Sequence, residues 1–130
     1  MSERYERGRA VLASMNNDPD GLKSWDSVDP IVGPEIDRML GEFCFGDVWA
    51  RDGLDTHTRR IITLSSLATQ GRMVQLEGHI KMALEQGFER REILEIFTHL
   101  TPYCGFPTVL SAVGLASEIF TALDDETPSA

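Results

Sequence analysis

Along residues 2–16 the apolar residues Tyr5, Ala10, Val11 and Leu12 stand among charged neighbours, a pattern that predicts a first helix. Asn16-Asn17-Asp18-Pro19-Asp20-Gly21 should stop it, because proline and glycine are poor helix formers. Residues 22–32, with Trp25, Pro30 and Ile31, show little periodicity and are expected to form a connection. A second helix should begin at Pro34, where the missing N–H is not needed. It carries Ile36, Met39, Leu40 and Phe43 toward Trp49, and Gly53 ends it. Asp55 is placed to cap a third helix over 56–70. That helix is apolar on most sides (Ile61, Ile62, Leu64, Leu67, Ala68) and is expected to be central. Met73, Leu76, Ile80 and Ala83 space a fourth helix over 72–86, closed by Gly87. Ile93, Ile96, Phe97 and Leu100 mark a fifth over 89–103. Cys104-Gly105-Phe106-Pro107 turns into a last helix ending near Leu123, with a frayed tail over 124–130. No stretch alternates with period two for long, so the chain is expected to be all-α. It reads as one domain over 1–130, a compact bundle of about six helices.

Composition narrows the partners. Twelve Lys and Arg stand against twenty-one Asp and Glu, a formal charge of -9. A nucleic-acid partner is therefore not expected, since such binding draws on a basic face that neutralises phosphates. An anionic lipid surface is disfavoured for the same reason. No apolar run approaches the ~20 residues that span a bilayer, so no membrane partner is expected. Cys44 and Cys104 lie far apart and form neither a disulfide framework nor a Cys-x-x-Cys pair. With no secretory leader pattern at the N-terminus, a reducing cytoplasm is the expected location. One or two local arginines would still suffice to hold a small carboxylate substrate.

The chemistry-bearing residues are few. His79 lies at the border of the apolar face of the fourth helix, beside Leu76, Ile80 and Ala83. It is either a core-edge histidine bonded to a carbonyl or a general acid or base. His99 and Tyr103, four residues apart, share one face of the fifth helix. They form either a proton-donating pair or an ordinary bonded pair closing the core. Arg59 and Arg60 follow Asp55 closely, and at least one must lie at the core edge, because Ile61 and Ile62 flank them. An arginine held there can clamp a carboxylate with two parallel bonds; the alternative is a surface pair between Asp55 and Arg59. Arg72 opens the fourth helix. His57, in a first helical turn, is expected to face solvent. Cys104 is most simply a packing residue. The histidines lie too far apart, with no His-x-x-x-His run, to support a metal site. No glycine-rich loop follows a strand, so no nucleotide cofactor is expected.

Three blocks together resemble the carboxymuconolactone decarboxylase family. The first is Phe45-Gly46-Asp47-Val48-Trp49-Ala50-Arg51 with Gly53-Leu54-Asp55 and Thr58-Arg59. The second runs from Leu76 and His79 through Ala83 and Gly87 to Glu92-Ile93 and Glu95-Ile96. The third is Thr98-His99-Leu100-x-x-Tyr103-Cys104-Gly105-Phe106-Pro107. The resemblance covers about residues 40–115 and implies an all-helical fold. It also implies a homotrimer or a hexamer of paired trimers, with sites near subunit interfaces. The wider family has a peroxidase branch with the motif Cys-x-x-Cys-x-x-x-His. Aligning its histidine on His79 puts Arg72 and Gln75 at the cysteine positions and Arg60 near the glutamate position, so a thiol peroxidase is disfavoured.

For the decarboxylase branch the resemblance implies cofactor-free chemistry of the beta-ketoadipate type in aromatic catabolism. Its substrate, 4-carboxymuconolactone, carries a carboxylate on the gamma carbon of an unsaturated lactone. When carbon dioxide leaves, the electrons flow into the ring and onto the lactone oxygen, giving a 3-oxoadipate enol-lactone after a proton returns to ring carbon. On this reading His79 is the leading proton donor or oxyanion stabiliser, and His99 and Tyr103 are secondary donors. Arg59 or Arg60 anchors the spectator carboxylate, and Trp49, Arg72 and Cys104 complete the expected substrate contacts. Asp52, Pro102 and Phe106 depart from the family pattern, and Pro102 should kink the helix end beside the site. They keep alternatives open: a decarboxylase, isomerase or cyclase on another small acid, a non-catalytic oligomeric binding protein, or a redox protein using Cys104 alone.

Overall fold

The computed structural model describes residues 2–126, the side chain of residue 24 excepted. Among these residues there is no strand, and the fold is all-α as expected. The main elements are α1 Glu3–Ser14, α2 Gly33–Met39, α3 Thr56–Gln70, α4 Met73–Gln86, α5 Arg90–His99 and α6 Phe106–Glu126. The chain divides into two compact units, one ending at Thr56 and the other beginning at His57.

In the first unit, Ser2 caps α1 by accepting the Tyr5 N–H at 3.1 Å. Asn16, at φ 60, ends it in the left-handed region that asparagine tolerates. The expected connection over 22–32 holds more structure than its pattern suggests: a 3-10 turn at Gly21–Ser24 and a single α turn at Trp25–Val28. The second expected helix also differs. From Leu40 to Trp49 it widens into a π-helix, in which the Ala50 N–H reaches back five residues to the Phe45 carbonyl at 3.1 Å.

The widened stretch packs on α1 through glycines. A methyl group on Gly8 would overlap the Gly41 carbonyl, and one on Gly46 would overlap the Arg4 carbonyl. Only hydrogen in place of a side chain lets the two backbones approach so closely. Charges fasten the same seam: Arg4 binds both Asp47 oxygens at 3.1 and 2.6 Å, and Arg7 Nε donates to the Gly46 carbonyl at 2.7 Å. Tyr5, Leu12, Met15, Leu22, Phe45 and Trp49 are the buried apolar residues here. Burial and the hydrogen bond to Asp37, 2.6 Å away, push the Tyr5 phenol up to about 12.

The second unit has a denser core. Leu64 and Ala68 of α3, Leu76 and Ile80 of α4, Ile93 and Phe97 of α5, and Ala112 and Ala116 of α6 are almost fully enclosed in one cluster. Helix α3 buries the stripe Arg60, Leu64 and Ala68 at every fourth position, whereas Ile62 is half-exposed. Gly87, at φ 109, turns the chain out of α4, and the Phe88 N–H closes the end on the Ala83 carbonyl at 3.0 Å.

Helix α5 stops at His99, short of the expected end at 103, and Thr101–Cys104 forms a separate turn with Pro102 at its start. Pro102 has no N–H to give the Thr98 carbonyl, and the Thr101 hydroxyl donates to that carbonyl at 2.8 Å. Helix α6 begins at Phe106 after Gly105, at φ 87, and continues past Leu123 to Glu126. The rest of the tail expected to fray lies outside the described residues. Contrary to the expectation of no such run, α6 is by length and composition alone long and apolar enough to cross a membrane. The polar Ser111, Ser117 and Glu118 are outweighed by their neighbours. Val109, Ala112, Ala116, Ile119 and Phe120 form its buried side.

Candidate active site

Arg60 is fully buried on α3. A guanidinium taken out of water costs several kcal/mol unless its donors are met, and α4 supplies acceptors along one stripe. His79, Met82 and Gln86 recur at positions i, i+3 and i+7 of that helix, so they line the same face. Arg60 Nη1 lies 2.7 Å from His79 Nδ1, Nε donates to Gln86 Oε1 at 3.0 Å, and Nη1 also approaches the Met82 sulfur at 3.9 Å. No buried side-chain nitrogen or oxygen among the described residues lacks a hydrogen-bond partner.

The donor and acceptor roles fix the state of His79. A guanidinium can only donate, so Nδ1 must accept and the single ring proton sits on Nε2. Burial, and then the Arg60 charge, push the imidazole down to about 4 from 6.5. At neutral pH His79 is therefore a neutral hydrogen-bond donor through Nε2, and an imidazolium is essentially absent. Such a group stabilises a developing oxyanion; it does not act as a cationic acid.

The other expected site residues are distributed as follows. Arg59, next to Arg60 on α3, is partly exposed, and Arg72 is exposed at the N-terminal boundary of α4. His99 and Tyr103 are brought together, ring centroids 5.5 Å apart and tilted by 36°, although they belong to separate helical segments. Both are exposed, Tyr103 at 76%. Cys104 is a half-buried free thiol. Trp49 is buried at the end of the π-helix in the first unit, 5.7 Å from the Phe45 ring. His57 is half-exposed, as its first-turn position suggests. It also pairs with Glu92 at 2.8 Å and stacks on Phe88 at 4.2 Å. Glu77, two residues from His79, turns away to Lys81 at 3.5 Å. No group of three or more His, Cys, Asp or Glu among the described residues is placed to hold a metal ion.

Gln86 and Met82 are the site neighbours that sequence reasoning misses. The i, i+3, i+7 spacing from His79 is the available signal. Choosing between the arginines is also possible from spacing, because only Arg60 continues the Leu64–Ala68 stripe.

Known proteins carry related sequences. Over 121 residues, 93% of this chain and 90% of the relative, the sequence is 27% identical to 4-carboxymuconolactone decarboxylase of Acinetobacter baylyi. It is 30% identical over 89 residues, 68% of this chain and 62% of the relative, to nitrosuccinic acid decarboxylase of Metarhizium robertsii. It is also 30% identical over 95 residues, 72% of this chain and 71% of the relative, to an uncharacterised 15.0 kDa protein of Paracoccus denitrificans. The model of the carboxymuconolactone decarboxylase family matches residues 34–118. That span takes in Arg60, His79, Gln86 and the His99–Tyr103 pair, and the chain belongs to the carboxymuconolactone decarboxylase family.

Proposed function

We propose that this protein is a cofactor-free carboxy-lyase that decarboxylates a small carboxylated lactone of the 4-carboxymuconolactone type in aromatic-compound catabolism. The observation that carries the reading is the buried Arg60 guanidinium 2.7 Å from His79 Nδ1, which makes Nε2 the donor of a neutral ring. Loss of carbon dioxide from the gamma carbon sends the bonding pair through the ring onto the lactone oxygen. The substrate is its own electron sink, so the protein has to stabilise that oxygen and hold the substrate still. His79 Nε2–H donates to the oxyanion as charge develops there. Arg59, partly exposed on the same helix as Arg60, anchors the spectator carboxylate. Arg60 acts through His79, since its guanidinium is enclosed. The His99–Tyr103 pair returns the proton to ring carbon, and Arg72 and Cys104 are further substrate contacts.

A second reading shares the logic. The Metarhizium robertsii relative is named for nitrosuccinic acid, in which a nitro group can take up the electron pair as a lactone does. The same neutral donor would serve another small acid with an internal sink.

Self-association as a trimer or hexamer belongs to the proposal. Tyr103, Phe106 and Leu110 leave large apolar surfaces exposed at the start of α6, and burying them against another copy would dry the His99–Tyr103 pair. Analytical ultracentrifugation reads this out, and a monomer at micromolar concentration removes it.

The test of function is carbon dioxide release from 4-carboxymuconolactone and, in parallel, from nitrosuccinate. The wild-type protein is expected to turn over one of them. His79→Ala should lower kcat by about 10²–10³, the scale of losing one oxyanion donor. A wild-type protein inert toward both acids, or a His79→Ala variant at full rate, overturns the reading.

A further inference from the structure

We infer that Gln86 is a positioning residue, holding Arg60 so that the guanidinium in turn holds His79 as its Nε2–H tautomer. The inference rests on the decarboxylase reading only for its effect on rate. The tautomer effect stands apart from it.

An arginine side chain has many rotamers to choose from. Its guanidinium sits on a long flexible stem, and rotation about the last bonds would carry Nη1 away from His79. Two directed bonds made by atoms of one rigid plane remove that freedom. Nε donates to Gln86 Oε1 at 3.0 Å while Nη1 donates to His79 Nδ1 at 2.7 Å, so the plane is pinned at two points on one helix. The pins lie two turns apart on α4, and between them Met82 brings its sulfur within 3.9 Å of Arg60 Nη1. Gln86 occupies the last residue of that helix, where Gly87 turns the chain away.

The tautomer matters because an imidazole with its proton on Nδ1 would present a lone pair at Nε2. A lone pair repels the oxyanion that Nε2–H would stabilise. With Arg60 fixed, that arrangement is suppressed, since Nδ1–H would point at an N–H donor. Gln86 touches no reacting atom, yet it decides which form of His79 faces the substrate.

The variants Gln86→Leu and Gln86→Glu separate positioning from mere packing. Leucine fills most of the volume and accepts no hydrogen bond; glutamate keeps an acceptor at the same reach. The readouts are the ¹⁵N shifts of the His79 ring, which distinguish a protonated from a bare nitrogen, and kcat on the acid that the wild-type protein turns over. In the wild-type protein His79 is expected to show a bare Nδ1 and a protonated Nε2. Gln86→Leu should move the ring toward a mixture of tautomers and lower kcat about tenfold with KM little changed, as expected for a misplaced group outside the contact layer. Gln86→Glu should retain the wild-type ring signature and most of the rate. A Gln86→Leu protein that melts earlier but keeps a single Nε2–H tautomer overturns the inference. If the wild-type protein turns over no acid while Gln86→Leu still scrambles the tautomer, the functional reading falls and the positioning role stands.

Discussion

The two units bury their interiors by opposite means. In the first, α1 meets the π-helix backbone against backbone at Gly8 and Gly46, with the Tyr5 ring against Gly41 and with Arg4 and Arg7 fastening the rim to Asp47. In the second, interdigitated Leu, Ile, Phe and Ala side chains fill a continuous core, and a cation with an imidazole is set at the edge of that filling. A glycine seam tolerates no added atom. A side-chain core tolerates no missing one. The polar site sits in the second kind of packing, where dense neighbours hold a guanidinium in place and keep His79 neutral.

Mutations of opposite size break the contrast. Leu64→Ala, at a fully enclosed position beside Arg60 on the α3 stripe, should cost about 3 kcal/mol in chemical denaturation, the cost of a core cavity. Gly8→Ala adds one carbon where there is no room and should cost about 2 kcal/mol, the usual scale of overpacking. If Gly8→Ala is neutral while Leu64→Ala is not, the glycine seam is not close-packed and the contrast between the units is lost. The smallest effect is expected from Asp47→Asn. Its pairs with Arg4 and Arg7 are largely solvated, and such pairs contribute little beyond what salt screens away. Denaturation at low and high salt should show the variant close to wild type in both.

Legibility from sequence divides along the same line. Helices α3 to α6 are readable because their apolar residues recur at helical spacing, and Gly71 and Gly87 mark the ends of α3 and α4. The break at His99 follows from Pro102, whose expected kink takes the form of a separate turn. The π-helix is not readable, because hydrophobic period does not separate five-residue from four-residue hydrogen bonding. Gly41 and Gly46, five residues apart and both turned toward α1, are the trace it leaves. At the site, His79 is marked by its place on the edge of an apolar face. Its charge state is not, since that depends on burial and on the approach of Arg60 from another helix. Gln86 carries no charge and titrates nowhere, so only its register with His79 points to it.

The protonation of His79 links packing to function. Its pKa in the folded protein, about 4, lies below the 6.5 of an unfolded chain. The neutral ring therefore contributes stability in full above about pH 6.5, and that contribution is lost as the pH falls from there through 4. At about 1.4 kcal/mol per unit, the loss amounts to a few kcal/mol. Following the His79 ring nitrogens by ¹⁵N NMR from pH 8 to the acid limit of folding should show Nε2 protonated and Nδ1 bare down to about pH 5. Titration of both nitrogens near pH 6.5, as in an exposed histidine, would contradict the account.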